Sequence, residues 1–413
     1  MLNDSIRLIT LQNLRKDIDI LSFMRYGYLL FLITLITLLP IVSNGETHIN
    51  ETAPFFLLIS PGARATGMGE AQTALVDPMS GHFNPGSMGI FSLDHNFAAS
   101  HSYVDYLPAF KIDDLYFNYT SLFAGWTFYK EEGERTRQIS IGIEYSRSFL
   151  NLGRVEVWNN EGDLIYQIEP WDKNESYALS VGLRHFIEMG VGYKSDAIKL
   201  HRADFHSYEE NDQSAEAYDW GVLFRLPLNN ALTEVFNYKP LESIKPFRVD
   251  IIPSYGYSNS NLGCDLQYNV PLPAIKRKGY GLEFRCELPD YHLFSFIYAQ
   301  DFNKQKVHNV SKEWINTGGV GREVNFFNSF LYRWGNYYDT WGSLFNATSG
   351  FTIKSNGITN YLYTRSQKQG KSYGKFYKLI MTRTNINYSK SFWDAGEGHP
   401  VTNTEWIEFG ISF

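Results

Sequence analysis

The sequence predicts an all-β fold, a transmembrane antiparallel β-barrel, on three observations. The first is two-residue alternation in segment after segment, with a second face too polar for a sandwich core. The closing run Trp406-Ile407-Glu408-Phe409-Gly410-Ile411-Ser412-Phe413 puts Ile407, Phe409, Ile411 and Phe413 on one side. Trp406, Glu408, Gly410 and Ser412 fall on the other. A strand with lipid on one side and a polar lumen on the other carries that pattern. The second is an aromatic share of 16%, with 30 Phe, 28 Tyr and 9 Trp, the surplus that girdles at two membrane interfaces require. The third is an apolar run near the N-terminus of the kind that directs export.

At 413 residues the chain is long enough for two or three ordinary domains or for one large barrel. Hydrophobic content is 44%, and mean hydropathy is only -0.28. A helical membrane protein would score far higher, whereas half of each barrel strand faces water. The net charge of -7, with no basic stripe, argues against nucleic acid as a partner. Cys264 and Cys286 fit neighbouring strands of a hairpin, and both a disulfide and two free thiols stay open.

In chain order, residues 1–45 read as an N-terminal extension and signal peptide. The apolar run from Tyr28 to Val42 follows Met24-Arg25 and precedes Ser43-Asn44-Gly45, which places cleavage after Gly45. Starts at Met1 and at Met24 both fit. The run is short for a membrane span, so membrane residence falls to strands. Residues 46–94 hold a spacer and a segment, Pro54 to Phe91, rich in Gly, Ala, Pro and Met and poor in alternation. Its turn signals Asp77-Pro78 and Asn84-Pro85-Gly86 suit a compact, mostly irregular plug with one or two short helices.

Residues 95–413 read as the barrel. Ile139, Ile141, Ile143 and Tyr145 alternate with Ser140, Gly142 and Glu144; Tyr177, Leu179, Val181 and Leu183 with Ala178, Ser180 and Gly182. Trp220, Val222 and Phe224, then Phe247, Val249 and Ile251, then Tyr280, Leu282 and Phe284 repeat the pattern. Further strands are expected at 97–106, 115–130, 188–199, 255–268, 292–301, 325–338, 344–354, 358–365 and 375–389. The total is about fourteen to sixteen. Polar stretches at 153–172, 200–216, 229–245, 302–323 and 391–402 read as long loops.

The plug segment carries a resemblance. Phe56-Leu57-Leu58-Ile59-Ser60-Pro61-Gly62-Ala63-Arg64-Ala65-Thr66-Gly67-Met68-Gly69-Glu70-Ala71, then Asp77 and His82-Phe83-Asn84-Pro85-Gly86, resembles the opening of the PorV/PorQ family of FadL-like outer-membrane barrels. The motif covers about a tenth of the chain. Gly62 stands where the family usually has aspartate, and Phe83 where tryptophan or tyrosine is common. The resemblance implies a fourteen-stranded barrel with an N-terminal hatch in its lumen. Its best-known members serve the type IX secretion system, receiving secreted cargo at the translocon and delivering it to the surface-attachment machinery. Outer-membrane lipid, cargo proteins and secretion-system components are the partners so implied.

Within the plug, Arg64 offers five donors to luminal carboxylates such as Glu144, Glu283 or Glu408. It is expected to act as a structural clamp, with gating or ligand contact as the sharper alternative. Gly67, Met68 and Gly69, with Glu70 beside them, suit close packing or gating, and Asn84-Pro85 a turn into the first strand. Trp406, Phe409 and Phe413 belong to the barrel-closing strand. No catalytic residue is predicted, because Ser100, His101, Ser102 and Asp105 alternate in direction along one strand. The histidines show no ligand spacing, so neither metal nor cofactor is expected. Gly190-Val191-Gly192-Tyr193-Lys194-Ser195 imitates part of a phosphate loop but sits in a strand. The cluster Tyr332, Trp334, Tyr337, Tyr338 and Trp341 reads as an interfacial girdle, or else a docking platform. A FadL-like channel for a hydrophobic small molecule is the alternative function. Cargo is expected at the loops 153–172, 200–216 and 302–323.

Overall fold

The computed structural model describes residues 54–413 except 113, 133–134, 160, 205–208, 237–246, 267–270, 289–290, 307–313, 340–343, 370–377, 379, 382–383, 397–398 and 400. The expected signal peptide, the first residues of the spacer and Trp341 lie outside the described residues.

Among the described residues, sixteen strands follow a short luminal segment: β1 (Phe97–Asp105), β2 (Leu115–Glu132), β3 (Arg135–Leu152), β4 (Val155–Trp158), β5 (Leu164–Ile168), β6 (Trp171–Arg184), β7 (Glu188–Asp204) and β8 (Glu209–Arg225). Then come β9 (Arg248–Gly263), β10 (Ala274–Leu288), β11 (Tyr291–Lys306), β12 (Ile315–Phe326), β13 (Phe330–Asp339), β14 (Leu344–Lys354), β15 (Asn385–Asp394) and β16 (Thr404–Ser412). Fourteen of them form one closed antiparallel barrel, in which each strand pairs with its chain neighbour except that β3 pairs with β6. β4 and β5 pair only with each other, as a hairpin inserted between those two. β1 closes on β16, with Ser102 opposite Glu408, and the Phe413 amide donates to Phe97 O at 3.0 Å. Closure leaves no unpaired edge for lipid to meet.

The expected alternation is borne out on the wall. Ile139, Leu179, Leu282 and Phe409 stand exposed on the outside, while Ser140, Glu144, Ser180 and Glu408 are buried inside. Outside, toward the end of the barrel away from its termini, Tyr103, Tyr116, Phe149, Trp171 and His201 form a chain of ring contacts 5.4 to 6.1 Å apart. That row crosses five strands as an aromatic girdle does. Among the described residues no helix is long and apolar enough to cross a membrane.

Other expectations need correction. The predicted strand at 358–365 lies within a helix, Asn356–Lys368, because Ile358, Tyr361 and Leu362 follow helical rather than two-residue spacing. The predicted strand at 325–338 is two strands, split by a turn in which Phe327 and Asn328 take positive φ. The loops expected at 200–216 and 302–323 are largely strand, since β7, β8, β11 and β12 run through much of both spans. Alternation with a greasy face is needed only where lipid touches the wall, so strands that overrun the bilayer look like polar loops. The 153–172 stretch contains the β4–β5 hairpin, and 229–245 opens with the helix Leu228–Phe236. The thiols are unpaired. Cys264 follows the last residue of β9, whereas Cys286 lies opposite Val249 at the other end of that strand.

The lumen is also drier than expected. Phe56 and Leu57 of the luminal segment pack against inward-facing Phe117, Ile198 and Leu200 in one buried apolar cluster.

Candidate functional site

Residues Pro54–Asp94 lie inside the barrel, and strand glycines let them approach. The helix Gly86–Phe91 rests on β6, β7 and β8. A Cβ built at Gly190 would fall on Gly86 O, and one at Gly86 would lie 2.7 Å from Gly221 O. On the opposite wall the helix Ala63–Gly67 packs on β14 and β15, and the turn after it meets β12 and β13. A Cβ at Gly335 would lie 2.6 Å from the Met68 carbonyl carbon. Both contacts are backbone on backbone, which only glycine permits.

Polar bonds fix the segment at its two ends and its middle. Asn84 is fully buried and donates to Thr73 O and Val222 O, each at 2.9 Å, while its Oδ1 accepts from the Gly86 amide at 3.0 Å. The expectation that Asn84-Pro85 turns into the first strand is therefore corrected: the pair opens the helix Gly86–Phe91 and pins it to β8. Asp301 of β11 accepts from the Gln72 and Thr73 amides at 3.2 and 2.9 Å. Trp406 and Trp393 donate through Nε1 to Ser60 O at 3.0 Å and Thr66 O at 3.3 Å.

Arg64 forms ion pairs inside the barrel, with partners other than the carboxylates named from sequence. Its Nε and Nη2 fork onto Glu323 at 3.1 and 3.0 Å, and Nη1 reaches Val76 O at 2.9 Å and Asp77 at 3.3 Å. Glu323 Oε2, which accepts from Arg64 Nε, also accepts from Nε of Arg333, its cross-strand neighbour, at 2.5 Å. Burial opposes the Arg64 charge, but Glu323 and Asp77 outweigh it and hold the guanidinium ionised. The carboxylates named from sequence do other work. Glu144 accepts from Ser121, Glu283 from Arg225 and Arg285, and Glu408 from the Ala63 amide at 3.0 Å.

The segment divides the lumen into two chambers. The inner one, toward the barrel end that holds both of its termini, has a volume of about 410 Å³ and is charged. Arg64, Asp77, Arg225, Glu283, Glu323 and Lys354 line it. The outer one, about 300 Å³, is walled by Tyr106, Tyr337, Trp393 and Trp406, with Glu70 and Arg277 in its lining. Arg64 and Glu70, six residues apart, thus serve opposite chambers. Gly69 and Glu70 both take positive φ, at 63° and 64°. Gly67 sits against Gly350, and Met68 is fully buried with Ala71 and Leu75.

Ion pairs close the inner end. Asp94 accepts two bonds of 2.7 Å from Arg184. Burial raises the Asp94 pKa, but the Arg184 bonds and charge outweigh it and leave the group below its ordinary value. A depressed carboxylate contributes stability above the unfolded pKa of about 4 and loses it as pH falls through the folded value. Protease protection of the segment should therefore weaken in acid, and Asp94→Asn should flatten that acid limb. An unchanged limb in the variant would show that the latch does not matter. Burial also lowers the His82 pKa well below the usual value, reinforced by Lys194 and Arg277, so that ring is neutral.

The remaining sequence candidates separate. Ser100 and Ser102 point inward, while His101 faces out and meets Thr120 at 2.9 Å. Of the aromatic cluster, Tyr332 and Trp334 stack on the outer wall with centroids 5.8 Å apart. Tyr337 turns inward onto Trp393 at 5.4 Å, so the cluster is not one platform. Phe409 is on the lipid face, and the ring of Phe413 stacks on Phe97. No group of potential metal ligands occurs among the described residues.

No family model and no curated protein matches the chain. Solved structures share the barrel architecture. The toluene transporter TbuX of Ralstonia pickettii aligns over 85% of this chain and 97% of its own, at 9% identity and a TM-score of 0.39. A FadL homologue of Pseudomonas aeruginosa gives the same coverage and identity with a TM-score of 0.33. The translocator domain of the Neisseria meningitidis autotransporter NalP covers 79% and 91%, at 12% and 0.29. At such identities and scores, none of the three says what this chain binds.

Proposed function

We propose that this chain is a non-enzymatic outer-membrane barrel, exported by a cleaved signal peptide, that delivers protein at the cell surface as the PorV/PorQ resemblance implies. The observation that carries this reading is the β4–β5 hairpin. It stands off the barrel end away from the termini and exposes Trp158, Leu164 and Ile165. Apolar side chains held on a projecting ribbon outside the lipid belt suit a protein partner. The pinned luminal segment supports the same reading, since a fastened plug favours a binding role over steady flux.

A photo-crosslinker in place of Trp158 tests the proposal in intact cells. Adducts with an exported protein or a secretion-system component, lost when Leu164 and Ile165 become serine, are the expected result. Adducts with lipid alone would sink it. The second reading, a FadL-like channel for a hydrophobic small molecule, is favoured by the aromatic lining of the outer chamber. The charged inner chamber speaks against an apolar path, because each pair there would have to be desolvated or passed. Uptake of such a solute, abolished by deleting the barrel, would favour the channel.

A further inference from the structure

The outer chamber contains a carboxylate that its surroundings do not use. Among the described residues, no hydrogen bond or ion pair ties the Glu70 side chain, although Glu70 lines the cavity. Its backbone is held in the left-handed region at φ 64°, a conformation that persists in a non-glycine residue only when neighbours enforce it. The Glu70 amide donates to Ala65 O at 2.7 Å, and Gly69 before it is pressed against the backbone of Asn336. The side chain is thus positioned by the segment and by β13.

The walls around it are aromatic. Trp393 stacks on Tyr337 with centroids 5.4 Å apart and meets Trp406 at 5.2 Å. Asp339 lines the same cavity, and Arg277 is the basic group there. Arg277 is nearly enclosed. It is 6% exposed, donates to Ser260 at 2.8 Å, and lies over the Phe83 ring at 5.6 Å. Two acidic side chains and one basic one line the open volume, together with aromatic side chains. A neutral hydrocarbon would leave the Glu70 carboxyl group desolvated without a partner.

We propose that the outer chamber binds an organic ammonium ion, its head on the Glu70 carboxylate and its hydrocarbon body against Trp393, Trp406 and Tyr337. Carboxylate and aromatic faces together are the two attractions such an ion finds in proteins. The ion is either a free amine or the side chain of a lysine on a passing polypeptide.

Proton linkage follows from the same geometry. Burial raises the Glu70 pKa to about 8; Arg277 opposes this, while Asp301 and Asp339 add to it. Tyr106, also facing the cavity, stays neutral, since burial raises its pKa. An acid raised in this way holds its proton in the empty site, so cation binding expels it and tightens with pH up to and just beyond 8.

Calorimetry on the full chain in detergent, with empty micelles subtracted, provides the test. Phenethylammonium should bind at least tenfold tighter than 2-phenylethanol or 3-phenylpropanoate, and at least tenfold tighter at pH 9 than at pH 6. Glu70→Gln should bring the amine down to the level of the alcohol while the alcohol itself is unchanged. Equal binding of amine and alcohol, tighter binding of the carboxylate, or an amine affinity unaltered by Glu70→Gln would overturn the site. If that variant does not fold, the wild-type pH series decides, and a flat series rejects the proposal. An acetyl-Gly-Lys-Gly amide that matches the amine assigns the site to lysine side chains; one that fails while the amine binds assigns it to free amines. Crosslinking at Trp158 can fail while the amine binds, so this result and the delivery role are separable.

Discussion

Arg64→Ala is expected to turn a silent barrel into a conducting one. The variant removes both donors on Glu323, the contact to Asp77 and the bond to Val76 O at one stroke. Glu323 keeps Arg333, which limits the loss, but breaking one side of a buried network costs on the order of 3 kcal/mol. At about 1.4 kcal/mol per decade, the released state of the segment gains roughly a hundredfold. Planar-bilayer recording reads this directly, as rare closures in the variant against rare openings in the wild type. Arg64→Lys keeps the charge but not the fork, so its open probability should fall between the two. Equal currents for all three would mean that Arg64 clamps nothing.

Gly190→Val should have an effect of similar size by a different route. A Cβ there collides with Gly86 O, and neither partner is the end of a flexible side chain. The helix Gly86–Phe91 must lift from β6 to β8, breaking the Asn84 bond to Val222 O. Overpacking of this kind costs about 1–3 kcal/mol when side chains can yield, and more against backbone. Protease sites between Asp77 and Asp94 should become accessible while the barrel keeps its resistance to boiling-free detergent electrophoresis. Val191→Ala, one residue along and facing outward, is the control and should leave protection intact.

What could be read beforehand divides along physical lines. Wherever the wall touches lipid, two-residue alternation told the faces apart, and Ile139, Leu179 and Phe409 lie on the expected side. Beyond the bilayer the lipid no longer dictates a pattern, so the parts of β7 and β8 that fall within 200–216 read as a loop. The importance of Arg64 was legible from its place in a Gly- and Ala-rich segment. Its partner was not, because Glu323 and Arg333 meet only once the turn Phe327-Asn328-Ser329 is recognised. The two residues sit symmetrically about that turn, so a correct reading of 325–338 as a hairpin would have paired them. Gly190 and Gly192 were set aside as an imitation phosphate loop. Their role is to seat the segment's backbone, and it depends on long-range contact that local pattern does not encode. Glu70 was grouped with its neighbours, and only the backbone reversal at Gly69 sends it to the other chamber.

The account depends on one arrangement: a strand barrel with residues 54–94 fastened inside it. Thr66 and Ser391 touch through their hydroxyls, across the junction of segment and wall. A Thr66→Cys, Ser391→Cys pair, with Cys264→Ser and Cys286→Ser, should oxidise nearly completely in the membrane-inserted protein. Its denatured, unreduced form should then run as a large closed loop with altered mobility. Full labelling of both thiols by a small maleimide under the same oxidising conditions would contradict the arrangement.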